Sequence, residues 1–185
     1  MTDRSNRVCP VEIAGSLDNR IRRWLQNPHK ILRPFVHQGM TVLDIGCGPG
    51  FFTIGMADLV GATGQVIAAD LQEGMLEIVR RKVAGTALEE RVLLHKCEEN
   101  RIGVSAEIDF ALAFYMVHEV LDQDALFHEI AAILKPGGQL LIVEPPFHVS
   151  KRAFQTCIGK ARDARLDLAD RPKMLFSKTA LLRKT

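Results

Sequence analysis

The sequence predicts an α/β domain: a doubly wound, mostly parallel sheet of seven strands. Three features predict it. Short runs rich in aliphatic and β-branched residues alternate with helical patterns, as in a parallel sheet wound with helices. The first clear run, Thr41-Val42-Leu43-Asp44-Ile45, is apolar almost throughout, which suits a strand buried on both faces. It runs into a turn carrying Gly46, Gly48 and Gly50, and a helical pattern follows.

Each element has its own justification. Upstream, Ser16 caps a helix whose Leu17, Ile21, Trp24 and Leu25 share a face, as residues three and four apart do on a helix. After the glycine turn, Phe51 to Val60 reads as a helix, broken by Gly61-Ala62-Thr63-Gly64. The second strand is Gln65 to Asp70, and a helix from Glu73 to Val83 follows with Met75, Ile78, Val79 and Lys82 along one side. Arg91 to His95 makes a third strand and Ile108 to Phe114 a fourth. Asp122 is an N-cap for a helix ending at Leu134, with Leu126, Ile130, Ile133 and Leu134 as its apolar stripe. Lys135-Pro136-Gly137-Gly138 stops that helix, because proline cannot extend it and glycine supplies a reversing turn. Gln139 to Glu144 is the fifth strand; a helix from Lys151 to about Ala164 follows and buries Phe154, Ile158 and Ala161. Leu166 to Asp170 and Phe176 to Leu182 form a terminal hairpin around Arg171-Pro172-Lys173 and complete seven strands. The division expected is an N-terminal helical segment, residues 1–35, covering the site of a domain formed by residues 36–185.

Composition bounds the function classes. A chain of 185 residues with 47% hydrophobic and 25% charged residues is ordinary globular material. A net charge of +2, one tryptophan and one tyrosine provide neither a basic stripe nor a stacking platform, so no nucleic acid is expected as partner. No apolar run approaches a membrane span and the first residues are polar, so no membrane insertion and a cytoplasmic location are expected. Cys9, Cys47, Cys97 and Cys157 lie 38, 50 and 60 residues apart. Neither that spacing nor that of the histidines His29, His37, His95, His128 and His148 is a metal-ligand pattern, and no metal is expected.

The glycine turn selects a cofactor class. A dinucleotide fingerprint places its third glycine three residues after the second, and here that position is Phe51. Asp44 stands two residues before Gly46 at the strand's carboxyl end. A carboxylate there repels a pyrophosphate and suits a cationic ligand, such as the ammonium and sulfonium of S-adenosylmethionine. Asp70, twenty residues beyond Gly50 at the end of the second strand, can accept both hydroxyls of a ribose. Leu71 and Met75 are placed to sandwich an adenine ring.

These residues carry a resemblance. Val42-Leu43-Asp44-Ile45-Gly46-Cys47-Gly48-Pro49-Gly50 resembles the first motif of class I S-adenosylmethionine-dependent methyltransferases, and especially the ubiquinone/menaquinone-biosynthesis-like group of small-molecule enzymes. The likeness continues through Asp70, Ile108-Asp109-Phe110-Ala111, Tyr115 to Val120, and Leu134-Lys135-Pro136-Gly137-Gly138-Gln139-Leu140. It implies a Rossmann-like methyltransferase sheet with one antiparallel strand, at the edge. It also implies that Asp44, Gly46, Cys47 and Gly48 line the methionine and sulfonium part, that Asp70 holds the ribose, and that S-adenosylhomocysteine is the product. Where the family often has an aspartate after the third strand, this chain has Cys97-Glu98-Glu99. Either Glu98 supplies the adenine contact or backbone groups near Cys97 do.

The acceptor belongs beyond the carboxyl ends of the first and fourth strands, the switch point of the sheet. Phe114, Tyr115, Met116, Val117, His118 and Glu119 end the fourth strand there and face the methyl. His118 is the candidate base and Tyr115 a candidate for orienting substrate; each also has a purely structural reading, His118 in supporting the next turn and Tyr115 as a core-edge aromatic. Glu144 ends the fifth strand beside them. The basic cluster Arg20, Arg22, Arg23, Lys30 and Arg33 reads first as the wet face of the N-terminal helix and second as an electropositive lid. Only one helix separates the fifth strand from the hairpin, so residues 1–35, a partner chain (a homodimer is open) or solvent must complete the acceptor site. The function expected is methyl transfer to a small-molecule acceptor. A non-catalytic cofactor-binding subunit and a nicotinamide-dependent oxidoreductase are the alternatives.

Overall fold

A computed structural model describes residues 26 to 185. The proposed cap Ser16 and the face Leu17, Ile21, Trp24 and Leu25 lie outside the described residues, as do Arg20, Arg22, Arg23 and Cys9. The described chain runs α1 (Pro28–Leu32), β1 (Thr41–Ile45), α2 (Phe51–Val60), β2 (Gln65–Asp70), α3 (Glu73–Val83), β3 (Val92–Lys96), β4 (Ile108–Phe114), α4 (Gln123–Ile133), β5 (Leu134–Glu144), α5 (Lys151–Asp163), β6 (Leu166–Asp170) and β7 (Lys178–Lys184).

The seven strands form one sheet in the order β3-β2-β1-β4-β5-β7-β6. The first five are parallel, and β7 runs antiparallel to both neighbours, β5 and β6. One antiparallel strand is therefore present, but it is not at the edge: β6 is the edge strand, and the terminal hairpin inserts its second strand against β5. The order reverses between β1 and β4, which opens the crevice at their carboxyl ends.

Residues alternate between the two faces along each strand, as the pleat dictates. Val42 joins the core beneath α1, α2 and α3, whereas Leu43 and Ile45 join the core beneath α4 and α5. Both layers are dry: Phe110 and Phe127 are among the largest fully buried side chains, each stabilising the fold by ~1.5–3 kcal/mol through burial. The buried face of α3 is Met75, Leu76, Val79 and Val83, so Leu76 and Val83 take the place expected of Ile78 and Lys82. On α4, Asp122 caps as expected, its Oδ1 accepting from the Ala125 N–H at 2.9 Å. On α5, Phe154, Cys157, Ile158 and Ala161 are buried.

Lys135-Pro136-Gly137-Gly138 does more than end a helix. Chain extension begins at Leu134, and the four residues form an irregularity inside β5, whose pairing with β4 jumps from Ile108↔Leu134 to Phe110↔Gln139. Lys135 reaches across it to Asp109 Oδ1 at 2.7 Å, while Asp109 Oδ2 accepts from the Thr41 N–H at 2.8 Å. The motif thus pins the starts of β1, β4 and β5 together and sets the register that carries Phe114 and Glu144 to the crevice.

Gly64, at the entry to β2, has no room for a side chain. An added Cβ there would lie 2.5 Å from Val60 Cβ and 2.7 Å from the Met40 and Val60 carbonyl oxygens. Backbone cannot yield as a flexible side chain would, so Gly64→Ala is expected to lower the unfolding free energy by about 1–3 kcal/mol. Urea unfolding of the two proteins, with an unchanged denaturant slope, checks this.

Candidate cofactor and acceptor site

The turn after β1 is held by a set of short contacts. Gly46 and Cys47 N–H groups donate to the Ala69 carbonyl at 2.8 and 3.1 Å, and Lys82 Nζ donates to the Pro49 carbonyl at 2.7 Å. Gly48 N–H donates to Asp70 Oδ2 and Gln72 N–H to Asp70 Oδ1, both at 2.8 Å. Asp70 is therefore a clamp between the glycine turn and the start of α3, besides being placed for a ribose. Each of its oxygens keeps a lone pair for a further donor. Burial pushes its carboxyl above the usual range, against the backbone N–H groups that lower it. Asp44 is 2% exposed and accepts from Thr53 Oγ1 at 2.6 Å, which fixes one oxygen at the base of the turn.

Gly48 shows how the turn suits a ligand. Its φ is +52°, and an added Cβ would meet nothing within 4 Å. Among the described residues none fills the space above this residue, so a ligand can come against bare backbone there. Two buried carboxylates, Asp44 and Asp70, beside a bare glycine turn suit the cationic amino-acid and ribose parts of S-adenosylmethionine. Thiolate chemistry has no support: burial raises the Cys47 thiol well above its ordinary value, the Cys97 thiol to about 11 and the Cys157 thiol to about 12.

The other expected cofactor residues divide. The Cys97 N–H donates to the Asp70 carbonyl at 2.9 Å, which brings the Cys97–Glu98 turn beside the ribose position. Glu98 is exposed and its backbone pairs with Arg101. Leu71 keeps accessible surface, but Met75 is 1% exposed and offers no open face to a ring. Phe114 is turned toward the α1 and α2 side: its ring lies 4.3 Å from Phe52 and 4.4 Å from Tyr115 by centroids.

The ends of β1 and β4 meet directly. A Cβ on Gly46, whose φ is +66°, would sit 3.1 Å from Met116 Cβ, so the glycine turn abuts the Tyr115–Glu119 segment. There Glu144, 1% exposed at the end of β5, reaches under the segment. Its Oε1 accepts from the His118 N–H at 3.1 Å, and its Oε2 pairs with His118 Nδ1 at 2.5 Å. The carboxylate holds the His118 imidazole above its ordinary range, chiefly through that hydrogen bond and against desolvation. With Nδ1–H given to Glu144, Nε2 is the free lone pair of the neutral ring. Glu119 is raised to about 7, first by burial and then by Glu144 and Asp70, with His118 opposing. The His148 ring lies 6.2 Å from that of His118. Among the described residues no three His, Cys, Asp or Glu groups are placed to hold a metal ion.

Tyr115 has φ +59°, a conformation uncommon for a bulky residue and one that is held only where the surroundings enforce it. Its hydroxyl pairs with Ser177 Oγ at 2.8 Å and accepts from Gln26 Nε2 at 3.0 Å. It thereby ties the segment before α1 and the β6–β7 loop to the end of β4. Beside this junction, residues 26–35, Phe114 and the β6–β7 loop line a partly open cavity of about 320 Å³. The loop at 172–177 contributes as well; the sequence places a hairpin turn at Arg171-Pro172-Lys173 and starts the last strand at Phe176, whereas that strand begins at Lys178.

Residues 42–138 match the model of a methyltransferase domain. A demethylmenaquinone methyltransferase of Listeria monocytogenes serotype 4a (strain HCC23) is 30% identical over 122 residues, covering 66% of this chain and 51% of that protein. One of Staphylococcus aureus (strain MRSA252) is 32% identical over 122 residues, 64% of this chain and 50% of that protein. The chain spans about half the length of these curated relatives. The crystal structure of a SAM-dependent methyltransferase from Aquifex aeolicus superposes with a TM-score of 0.86 at 25% identity, covering 96% of this chain and 100% of that one.

Proposed function

The chain belongs to the methyltransferase-domain family, and from that premise we propose that it transfers a methyl group from S-adenosylmethionine to a small-molecule acceptor that loses a proton at the attacking atom. One observation carries the proposal. A glycine turn with Asp44 and Asp70 adjoins, through the Gly46–Met116 approach, a histidine oriented by a buried glutamate.

When bound, S-adenosylmethionine supplies an electrophilic methyl on a positively charged sulfur. Asp44 and the Gly46–Gly48 backbone receive its amino-acid end, and Asp70 its ribose. Leu71 and the Cys97–Glu98 turn lie beside the adenine. His118 Nε2 removes the acceptor's proton, and Glu144 compensates the imidazolium that forms. The wall made by Tyr115, Gln26 and Ser177 orients the acceptor, since displacement at carbon depends on holding the reacting atoms in line and near contact. An acceptor ring with an ionisable hydroxyl fits this use of a base; the relatives' name gives a ring compound, demethylmenaquinone. The reading includes residues 1–35 as cover for the site, action on a small molecule rather than nucleic acid, and a cytoplasmic location, with a homodimer open. No helix among the described residues is long and apolar enough to cross a membrane. The nicotinamide alternative gains nothing from the family match.

Calorimetric titration tests the cofactor part: S-adenosylhomocysteine is expected to bind with one-to-one stoichiometry and NAD to give no heat of binding. The reverse pattern would overturn the proposal. Binding of S-adenosylhomocysteine without turnover on hydroxylated aromatic acceptors would instead favour the non-catalytic subunit.

A further inference from the structure

The cavity beside the crevice has a chemistry of its own. Its volume of about 320 Å³ falls at the small end of ligand pockets, where one or two fused rings fit. Phe35 and Phe114 provide aromatic walls and Met174 and Leu175 aliphatic ones, and among the described residues no aspartate or glutamate lines it. Yet two lysines do, Lys30 and Lys173, brought from opposite ends of the chain.

Those two lysines differ from most others in the fold. Lys82, Lys96, Lys178 and Lys184 each donate to a backbone carbonyl, and Lys135 and Lys160 each pair with an aspartate. The ammonium groups of Lys30 and Lys173 have no ion-pair or hydrogen-bond partner among the described residues. A largely apolar compartment that, among the described residues, carries two cations without an anionic partner is complementary to an apolar molecule with an acid group.

We infer that this cavity holds the methyl acceptor, and that the acceptor is a ring-sized apolar compound carrying an anionic group that pairs with Lys30 and Lys173. Phe114 lines the cavity and lies against Tyr115, three residues before His118. Phe114 thus places one wall of the cavity next to the Tyr115–Glu119 segment, in which His118 lies. Its role as acceptor rests on the methyl-transfer proposal; its charge and size class rest on the cavity alone.

The test compares 2-naphthoate with uncharged 2-naphthylmethanol, titrated into the full chain saturated with S-adenosylhomocysteine and followed by calorimetry. The wild-type protein is expected to prefer the carboxylate by about tenfold or more, the ratio a charge-assisted contact supplies. Lys30→Met and Lys173→Met, which keep an apolar stem at exposed positions, should each weaken the preference, and the double variant should abolish it. Unchanged S-adenosylhomocysteine affinity shows that the variants are folded. Equal binding of the two probes, no binding of either, or a preference surviving in the double variant overturns the inference while leaving the cofactor reading intact. A wild-type preference for naphthoate in a chain that does not bind S-adenosylhomocysteine overturns the methyl-transfer reading and leaves the anion site standing.

Discussion

His118→Ala is expected to lower kcat for methyl transfer by about 10²–10⁴-fold, the contribution of a positioned general base, with little change in S-adenosylhomocysteine affinity. Loss of the imidazole removes the Nε2 lone pair and leaves Glu144 buried with no imidazole to pair with. Glu144→Gln asks whether the base is positioned and charged by its partner. The amide oxygen can still accept from the His118 N–H, but the negative charge at Nδ1 is gone, and kcat should fall by about 10–10²-fold. The pH profile distinguishes this from a merely structural loss. The base acts only when deprotonated, and Glu144 raises the His118 pKa. Activity in the wild type should therefore rise with pH through a midpoint above the ordinary histidine value of about 6.5. In Glu144→Gln that midpoint should move toward acid. Glu119, at about 7, titrates in the same window, so Glu119→Gln is the control that assigns the limb. The stability sign is the same for the histidine: the contribution of its ion pair with Glu144 is fully present below the unfolded pKa and lost as pH rises through the raised folded value. A midpoint unmoved by Glu144→Gln, or a kcat for His118→Ala within a few-fold of wild type, would remove the base from the mechanism.

Asp70→Ala carries the second large effect, because it opens the clamp as well as the ribose contact. The Gly48 and Gln72 N–H groups both lose their acceptor. At a site where Asp70 itself is 7% exposed, each unsatisfied donor costs about 1–3 kcal/mol if water does not replace the carboxylate. S-adenosylhomocysteine affinity is expected to fall by about 100-fold or more, as two charge-assisted hydrogen bonds to a diol are lost along with the turn geometry. Asp70→Asn separates the two roles. Its single carbonyl oxygen keeps one of the two backbone contacts, so thermal stability should recover in part while affinity stays low. Calorimetry and thermal unfolding of the two variants read these separately. Wild-type affinity in Asp70→Asn would mean that the carboxylate serves the fold and not the ligand.

The parallel core of the fold was legible because its signals are local. Thr41–Ile45 and Gln65–Asp70 read as buried strands by composition, and the glycines after β1 announced a turn by the conformations only glycine adopts cheaply. Boundaries at irregular points were not. Lys135-Pro136-Gly137-Gly138 looked like a plain helix stop, since no local pattern reveals that Lys135 reaches Asp109 and folds the motif into β5. The edge strand was misassigned for a related reason: a hairpin's sequence does not say which of its two strands pairs with the rest of the sheet.

The site divides along the same line. The candidates Asp44, Gly48 and Asp70 come from the spacing of one turn and two strand ends together with the family resemblance, and the fold brings them to one place. The expectation that Met75 stacks on adenine rested on proximity along the chain, and burial at 1% exposure decides against an open face. The pairing of His118 with Glu144, the strained Tyr115 and the cavity with Lys30 and Lys173 join residues 26 to 143 positions apart. By itself, then, the sequence determined the parallel sheet and the class of methyl donor, both written in short-range patterns of burial, turn geometry and charge. Only the tertiary structure decided that Glu144 pairs with His118 and which residues line the neighbouring cavity, because those depend on which distant segments the sheet order brings to one end.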